Sequence, residues 1–318
     1  MHQIEMVSLN DLVPSTHTYR KIHGLYPAKL VHEGVKDLEH IKGADGYGIE
    51  RLFKCLFLQF LEDLSDRELE RFLQENTAGK WFCGFGLSNT TPHFSLFNKV
   101  RSRIGTQRLS KLFSAIRDSL QANGYMSEVF TFVDATHLIA KSTLWKERDK
   151  AIKAKMDKLN NEVLPKVSHD KEARIGCKGK DKFWYGYKEH TSVDMPSGLI
   201  NKVAITPANV SDGDGLKNVC PRSGAVYADK GYCSHKAQRT ALQKGAYLRA
   251  ILKNNMKAKN KDLDRWISGI RAPYERVFSK RSKRVRYVGI VKNQFAALMH
   301  AITFNMKRLI EIPPPKPA

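Results

Sequence analysis

Hydrophobic periodicity changes character once along this chain, near residue 125, and that change limits the folds open to it. From residue 48 to about 124, apolar side chains recur at helical spacing. In "GIERLFKCLFLQFLEDL", Leu52, Phe53, Leu56, Phe57 and Phe60 form one stripe. "LSDRELERFLQEN" follows, with Ser65 as N-cap and Glu68 placed to answer it in a capping box. "TPHFSLFNKVRSRIG" opens at a Thr-Pro boundary and sets Phe94, Phe97, Val100 and Ile104 on one side, with Lys99, Arg101 and Arg103 interleaved. Beyond residue 125, β-branched and aromatic residues take over. "EVFTFVDATHLIA" reads as a strand and "YKEHTSVDMPSGLINKVAIT" as a hairpin turning at Pro196, Ser197 and Gly198. "GAVYADKGY" is a strand ending in a glycine-containing turn, "SHKAQRTALQKG" a helix stopped by Gly245, and "AYLRAIL" again a strand. A last helix runs through "NQFAALMHAITFNMKRLIEI". The expectation is a mixed α/β sheet flanked by helices and preceded by an all-helical N-terminal domain, divided as residues 1–124 and 125–318.

Charge narrows the partner. The chain of 318 residues carries 54 Lys and Arg against 32 Asp and Glu, a formal net charge of +22 that internal ion pairing cannot neutralise. Such an excess calls for a polyanion. Nucleic acid fits better than a membrane surface, because no segment combines a basic face with an exposed apolar one. The longest apolar run, "CLFLQFL", is interrupted by Gln59 and closed by Glu62 and Asp63, well short of a membrane span. The N-terminus "MHQIEMVSLNDLVPS" has neither the basic nor the apolar region of a secretory signal, so the expected location is the cytoplasm. Cys55, Cys83, Cys177, Cys220 and Cys233 form no C-x-x-C pair and read as reduced thiols. Short helices ending in a basic one suit a DNA reader of the helix-turn-helix kind, although plain helical packing explains the same periodicity. A polar, Lys-rich insert, about 141–182, reads as a flexible loop or partly helical arm.

Two apolar strands are each read as closing on an acid, "FTFVD" at Asp134 and "AVYAD" at Asp229. Alone, either would be a turn former. If the strands are neighbours, both carboxylates point to one end of the sheet, which is what a hard divalent cation such as Mg²⁺ needs. Two such ions can serve the attacking and leaving oxygens of an in-line phosphoryl displacement. A third carboxylate is then wanted, and Glu275, just beyond Pro273 and ahead of Arg276, Lys280, Arg281, Lys283 and Arg284, is placed to supply it while the cations behind it clamp phosphates. A solvated basic helix with Glu275 in i,i+4 pairs is the plain alternative. Asp194, Asp212 and Asp214 sit beside turn residues and read as turn formers. Glu189 lies on a strand with its facing side open, and His137 is unassigned.

At these residues the chain resembles the DDE transposases of bacterial insertion sequences, in particular the insertion-sequence-five group. The likeness is carried by "FVDATHL", "YGYKEHTSVD", "ITPANVSDGD", "YADKGY" and "RAPYERVF" followed by "RYVGIVKN", and by the helical region with "LSDRELERFL" and "TPHFSLFNKVRSRIG". The resemblance implies an RNase H-like catalytic domain with Asp134, Asp229 and Glu275 as catalytic acids and metal ligands for Mg²⁺, with Mn²⁺ as substitute and two ions expected. Arg271 and Glu275 match that group's third-acid signature; its tyrosine position holds Ser268 and its lysine position Ser282, with Lys283 one residue late. Arg271, Lys280 and Lys283, with Lys99, Arg101 and Arg103 of the helical region, are the expected DNA contacts. Double-stranded DNA, as element ends and target, is the implied partner, and pairing of two ends implies a homodimer. The rival expectations are a nuclease that cuts without strand transfer and a transposase-derived DNA-binding protein without activity.

Overall fold

In the computed structural model, which describes residues 6–39, 46–154, 159–179, 182–253, 256, 260–271 and 282–315, the helical periodicity of the first part is realised as seven helices. These are α1 (Leu9–Leu12), α2 (Thr18–Leu25), α3 (Ala28–Val35), α4 (Ile49–Leu61), α5 (Asp66–Glu75), α6 (Thr77–Cys83) and α7 (Phe94–Ala122). The first three precede the stretch whose apolar stripes were legible. They are short, and polar caps start the first two: Ser8 with Asp11 forms a capping box on α1, and His17 Nδ1 accepts from Tyr19 N at 3.1 Å ahead of α2, while α3 follows Pro27. The capping box expected on α5 is present, with Ser65 N donating to Glu68 Oε2 at 2.7 Å and Glu68 N to Ser65 Oγ at 3.3 Å. The stripe of α4 is buried at Leu52, Phe53, Leu56, Phe57 and Phe60. Phe57 stacks on Phe82 with ring centroids 5.6 Å apart, and Tyr26 meets both rings edge-on. Gly105 kinks α7 at φ 68°, a conformation glycine adopts without steric cost, and the helix resumes as far as Ala122.

The chain forms two compact units: Met1–Ser119 with Leu298–Ala318, and Leu120–Ala297. The second holds a six-stranded sheet. In chain order its elements are β1 (Phe130–Ile139), α8 (Leu144–Lys153), α9 (Leu164–Val167), β2 (Arg174–Lys178), β3 (Lys182–Asp194), β4 (Ile200–Pro207), α10 (Asp212–Val219), β5 (Ala225–Ala228), α11 (His235–Gln243), β6 (Tyr247–Ala250), α12 (Lys261–Arg271) and the start of α13 (Ile290–Leu309). The order is β2-β3-β1-β5-β6, with β4 also paired to β3. β2 and β4 therefore share one flank of the long β3, β2 against its first half and β4 against its second. β1 runs antiparallel to β3 and parallel to β5, and β5 parallel to β6. With β2 set aside, the sheet reads β4-β3-β1-β5-β6 with β3 alone reversed, which is the RNase H-like arrangement. The insert is more ordered than its composition suggested: among its described residues are α8, α9 and β2, a strand that widens the sheet.

Alternation along the strands sorts the core onto two faces. Val133, Val226 and Ala228 pack with Leu216 and Val219 of α10 and Ala237 and Ala241 of α11. Phe132 and Tyr227 point the other way, toward Ile267 of α12. Among the described residues no helix is long and apolar enough to cross a membrane.

The entry to β1 is locked by two buried carboxylates. Asp194, 1% exposed, accepts from Ser127 N and Glu128 N at 3.2 Å each, and from Ser197 N at 3.2 Å and Ser197 Oγ at 2.6 Å. Glu128 accepts from Asn201 Nδ2 at 2.7 Å and from Arg222 N at 3.2 Å. Asp194 is thus a turn former, as its place before Pro196 suggested, and also the tie between hairpin and first strand. Replacing it by alanine orphans several buried donors, so Asp194→Ala is expected to cost about 3 kcal/mol or more. Urea unfolding will show this as a lower midpoint with an unchanged slope.

Candidate active site

Asp134 and Asp229 are brought together by strand register. The β1–β5 ladder pairs Phe130 with Ala225 and ends at Val133 with Ala228, so the next residue on each parallel strand is an aspartate. The expectation that Asp134 ends its strand needs correction: β1 continues to Ile139, and it is β5 that stops. β1 continues because β3 pairs with it on the other side as far as Ile139, opposite Gly186. Asp134 shares its sheet face with Phe132, and Asp229, one step past β5, shares that face with Tyr227. Both acids thus fall on the α12 side. Both are partly exposed, and each accepts from the next backbone amide: Ala135 N to Asp134 at 2.8 Å, Lys230 N to Asp229 at 2.6 Å. Glu189 is opposite Thr136 and so faces the same side as Asp134, almost fully buried. Periodicity alone could not choose its face.

Glu275 and Lys280 lie in residues 272–281, outside the described residues, and Arg271 is the last residue of α12. Among the described residues no group of three or more His, Cys, Asp or Glu side chains is gathered to hold a metal. Lys283 is exposed and returns to β1: Ile139 N donates to its carbonyl at 2.6 Å, and Val285 N donates to Ile139 O at 2.9 Å. Arg284 forms a parallel bridge with Ile139. Ser268, at the signature's tyrosine position, donates its hydroxyl to Asp264 O at 2.8 Å within α12.

The opposite face of the sheet carries Lys188 and His190, to which sequence reasoning did not assign a part. Lys188 Nζ pairs with Asp212 Oδ1 at 2.8 Å. A Cβ on Gly231 would stand 2.6 Å from Asp212 Oδ2, so the pair is packed against the turn that follows Asp229. Asp212 was expected to form a turn; it starts α10 and is committed to this ion pair. Asp214 serves the same helix end, with Ser211 Oγ at 2.7 Å, and pairs with Lys236. His190 is fully buried, its Nε2 2.9 Å from Thr206 Oγ1 and its ring against Gly215, where any Cβ would collide with it. Burial, reinforced by Lys188 and opposed by Asp212, pushes its pKa down to about 4. His137, beside the Trp184 ring at 5.5 Å, is pushed down by burial first and then by Lys283 and Lys178.

In the helical unit the expected DNA contacts separate. Lys99 and Arg103 are exposed, and Arg103 also donates to Leu38 O. Arg101 corrects the expectation: it is 8% exposed and inserted into the unit's own packing. Its guanidinium donates to Asp66 at 2.7 and 2.6 Å and to Gln59 Oε1 at 3.0 Å, while Gln59 Nε2 donates to Asp66 at 2.6 Å. The interleaved basic pattern of "FNKVRSR" does not distinguish a surface cation from one turned toward α4 and α5. The buried Gln59 in an otherwise apolar stripe was the available signal.

Residues 126–306, more than half of the chain, match the family described as Transposase DDE domain, and residues 7–103 match Transposase domain (DUF772). Among solved structures the chain is similar to the piggyBac transposase in its synaptic complex with hairpin DNA, at 11% identity over 77% of this chain and 50% of that one, with a TM-score of 0.28. The chain thus spans half the length of that transposase, and a likeness so slight adds nothing to the argument.

Two outcomes are expected. Arg101→Ala removes the guanidinium that donates to both Asp66 and Gln59 and should lower stability by about 3 kcal/mol, measured by thermal or urea unfolding. For His190, the folded pKa of about 4 lies below the ordinary 6.5, so its contribution is complete above pH 6.5 and is lost as pH falls toward 4. The loss is on the order of 3 kcal/mol, and a His190→Gln protein compared by urea unfolding between pH 7 and 4 should lack that component of the slope.

Proposed function

This chain belongs to the DDE transposase family, and on that premise we propose that it binds the ends of its own insertion sequence, cuts them and joins them to target DNA. The observation that carries the reading is the β1–β5 register, which sets Asp134 and Asp229 side by side on one face of the sheet. The family implies dependence on a divalent metal. The residues fit one: the donors are carboxylate oxygens, partly exposed, which suit Mg²⁺ or Mn²⁺ and not a soft metal. Bound there, such ions would neutralise charge on the phosphoryl oxygens and lower the pKa of water.

Asp134 and Asp229 would hold the ions from the sheet, and Glu275 would supply the third carboxylate from the segment that follows α12. Two ions would serve the attacking and the leaving oxygen of each displacement in turn, first hydrolysis at the element end and then attack of the freed 3′-hydroxyl on target DNA. Arg271, Lys280 and Lys283 would grip the phosphates beside the scissile bond and hold it in line. Lys99 and Arg103, exposed on α7, would contact the backbone of the element end from the helical N-terminal region. Arg101 would not, being paired with Asp66. We place the protein in the cytoplasm and, because two ends must be joined together, as a homodimer. On the likeness of its motifs we assign the element to the insertion-sequence-five group.

Purified protein should nick supercoiled plasmid in Mn²⁺, and chelation with EDTA should stop it. Asp134→Asn, Asp229→Asn and Glu275→Gln should each reduce nicking to background while leaving thermal stability unchanged. Wild-type nicking rates in the Asp229→Asn protein would refute the site. Strand transfer is read separately, as joining of pre-cut element ends with free 3′-hydroxyls into a target plasmid; cutting without joined product would mean a nuclease only.

A further inference from the structure

The β1–β5 ladder ends at Val133, and at the far end of β1 residues 283–285 pair with the same edge through Ile139. From there the chain runs as a strap to α13, and the other end of the strap is tied to the insert. Gly289 N donates to Tyr187 Oη at 3.2 Å and to Asp170 Oδ2 at 3.4 Å. Ile290 N donates to Glu172 Oε2 at 2.8 Å, a carboxylate at the start of a 20-residue helix where the macrodipole favours negative charge. Gly289, at φ +88°, sits so close that a Cβ would stand 2.9 Å from the same oxygen.

The insert side of this joint is built rigidly. Asp170 is 1% exposed and takes the Tyr187 hydroxyl on both carboxylate oxygens at 2.6 Å each. It also accepts from Glu172 N at 3.3 Å and Ala173 N at 3.2 Å, which fixes the turn that presents Glu172. Tyr185 Oη donates to Asp170 O at 2.9 Å. The two tyrosines of "WYGYKEH" thus fasten the insert to β3, and the insert fastens the strap.

We propose that Asp170 and Glu172 are positioning residues that hold the strap of residues 283–290, and with it Lys283, against the far end of β1 at Ile139. The DNA part of this inference rests on the reading of Lys283 as a phosphate contact; its placement part does not. Neither acid touches the reacting atoms. Their effect passes through Lys283 and is therefore lost when Lys283 is already gone.

The test is a double-variant cycle on the full chain, with Glu172→Ala, Lys283→Met and both together. Lys283, bonded through its carbonyl to Ile139 two residues along β1, is one of the charges that hold the His137 pKa down, so His137 reports its placement: its pKa, followed by NMR, should rise in Lys283→Met, rise in Glu172→Ala, and rise no further in the double variant. Salt dependence of DNA binding should become shallower by about 0.9 in each single variant and by no more in the double. Glu172→Gln keeps an acceptor for Ile290 N and should restore both readouts. Asp170→Asn, which keeps one of its two acceptor oxygens, should shift both in the same direction by less. The proposal is overturned if Glu172→Ala leaves His137 at its wild-type value, if the two substitutions add, or if Lys283→Met does not move His137. A shift at His137 with no change in salt dependence sustains the placement and removes Lys283 from the DNA contacts.

Discussion

The parallel pairing of β1 with β5 is the constraint on which the site depends. Hydrogen bonds between these strands end at Val133 and Ala228, and because side chains alternate with period two, the residues just past the ladder share the face of Phe132 and Tyr227. A slip of one residue would send one carboxylate to the opposite face. Register here is held by burial on both sides: Val133, Val226 and Ala228 under α10 and α11, Phe132 and Tyr227 under α12. The same packing that stabilises the sheet therefore aims the two acids.

The two faces then divide the work. The α12 side carries the acids that a hard cation would need. The other side carries groups whose charges are spent internally, Lys188 on Asp212 and a neutral His190 wedged on Gly215. Asp212 against Gly231 braces the turn leaving Asp229 from behind, so a residue on the far face supports the geometry of the near one. Arg101 and Asp66 do similar internal work in the helical unit.

The insert shows how a Lys-rich segment can be ordered without a large apolar content. Beside Ala151, Leu164 and Ala173, its buried groups include three hydrogen-bonded polar ones, Asp170, Ser168 and Glu147, tied to Tyr187, Tyr185 and His169 N. Such a network carries little hydrophobic signal in the sequence, which explains why composition alone suggested a flexible loop or a partly helical arm. Fixing β2 to β3 and Glu172 to the start of α13, it acts as a joint between the sheet and the strap bearing Lys283.

Sequence alone determined much of the element order, though not α1–α3, α10 or the insert's α8, α9 and β2, because periodicity and capping are local: the stripe of α4, the Ser65–Glu68 box, the apolar runs before Asp134 and Asp229 and the turn at Asp194 all read directly. It also determined the fold class, since strand, hairpin, strand, helix, strand leaves few arrangements, and the family, through several ordered motifs. Tertiary structure decided what depends on partners distant in the chain. That Asp134 lies mid-strand follows from β3 pairing past the end of β5; that Glu189 faces the acids follows from its register with Thr136; that Arg101 is buried follows from Asp66 and Gln59 lying across from it. A basic or acidic residue looks the same in sequence whether it meets solvent or a buried partner, and the difference is made by desolvation, which exists only once the chain has folded around it.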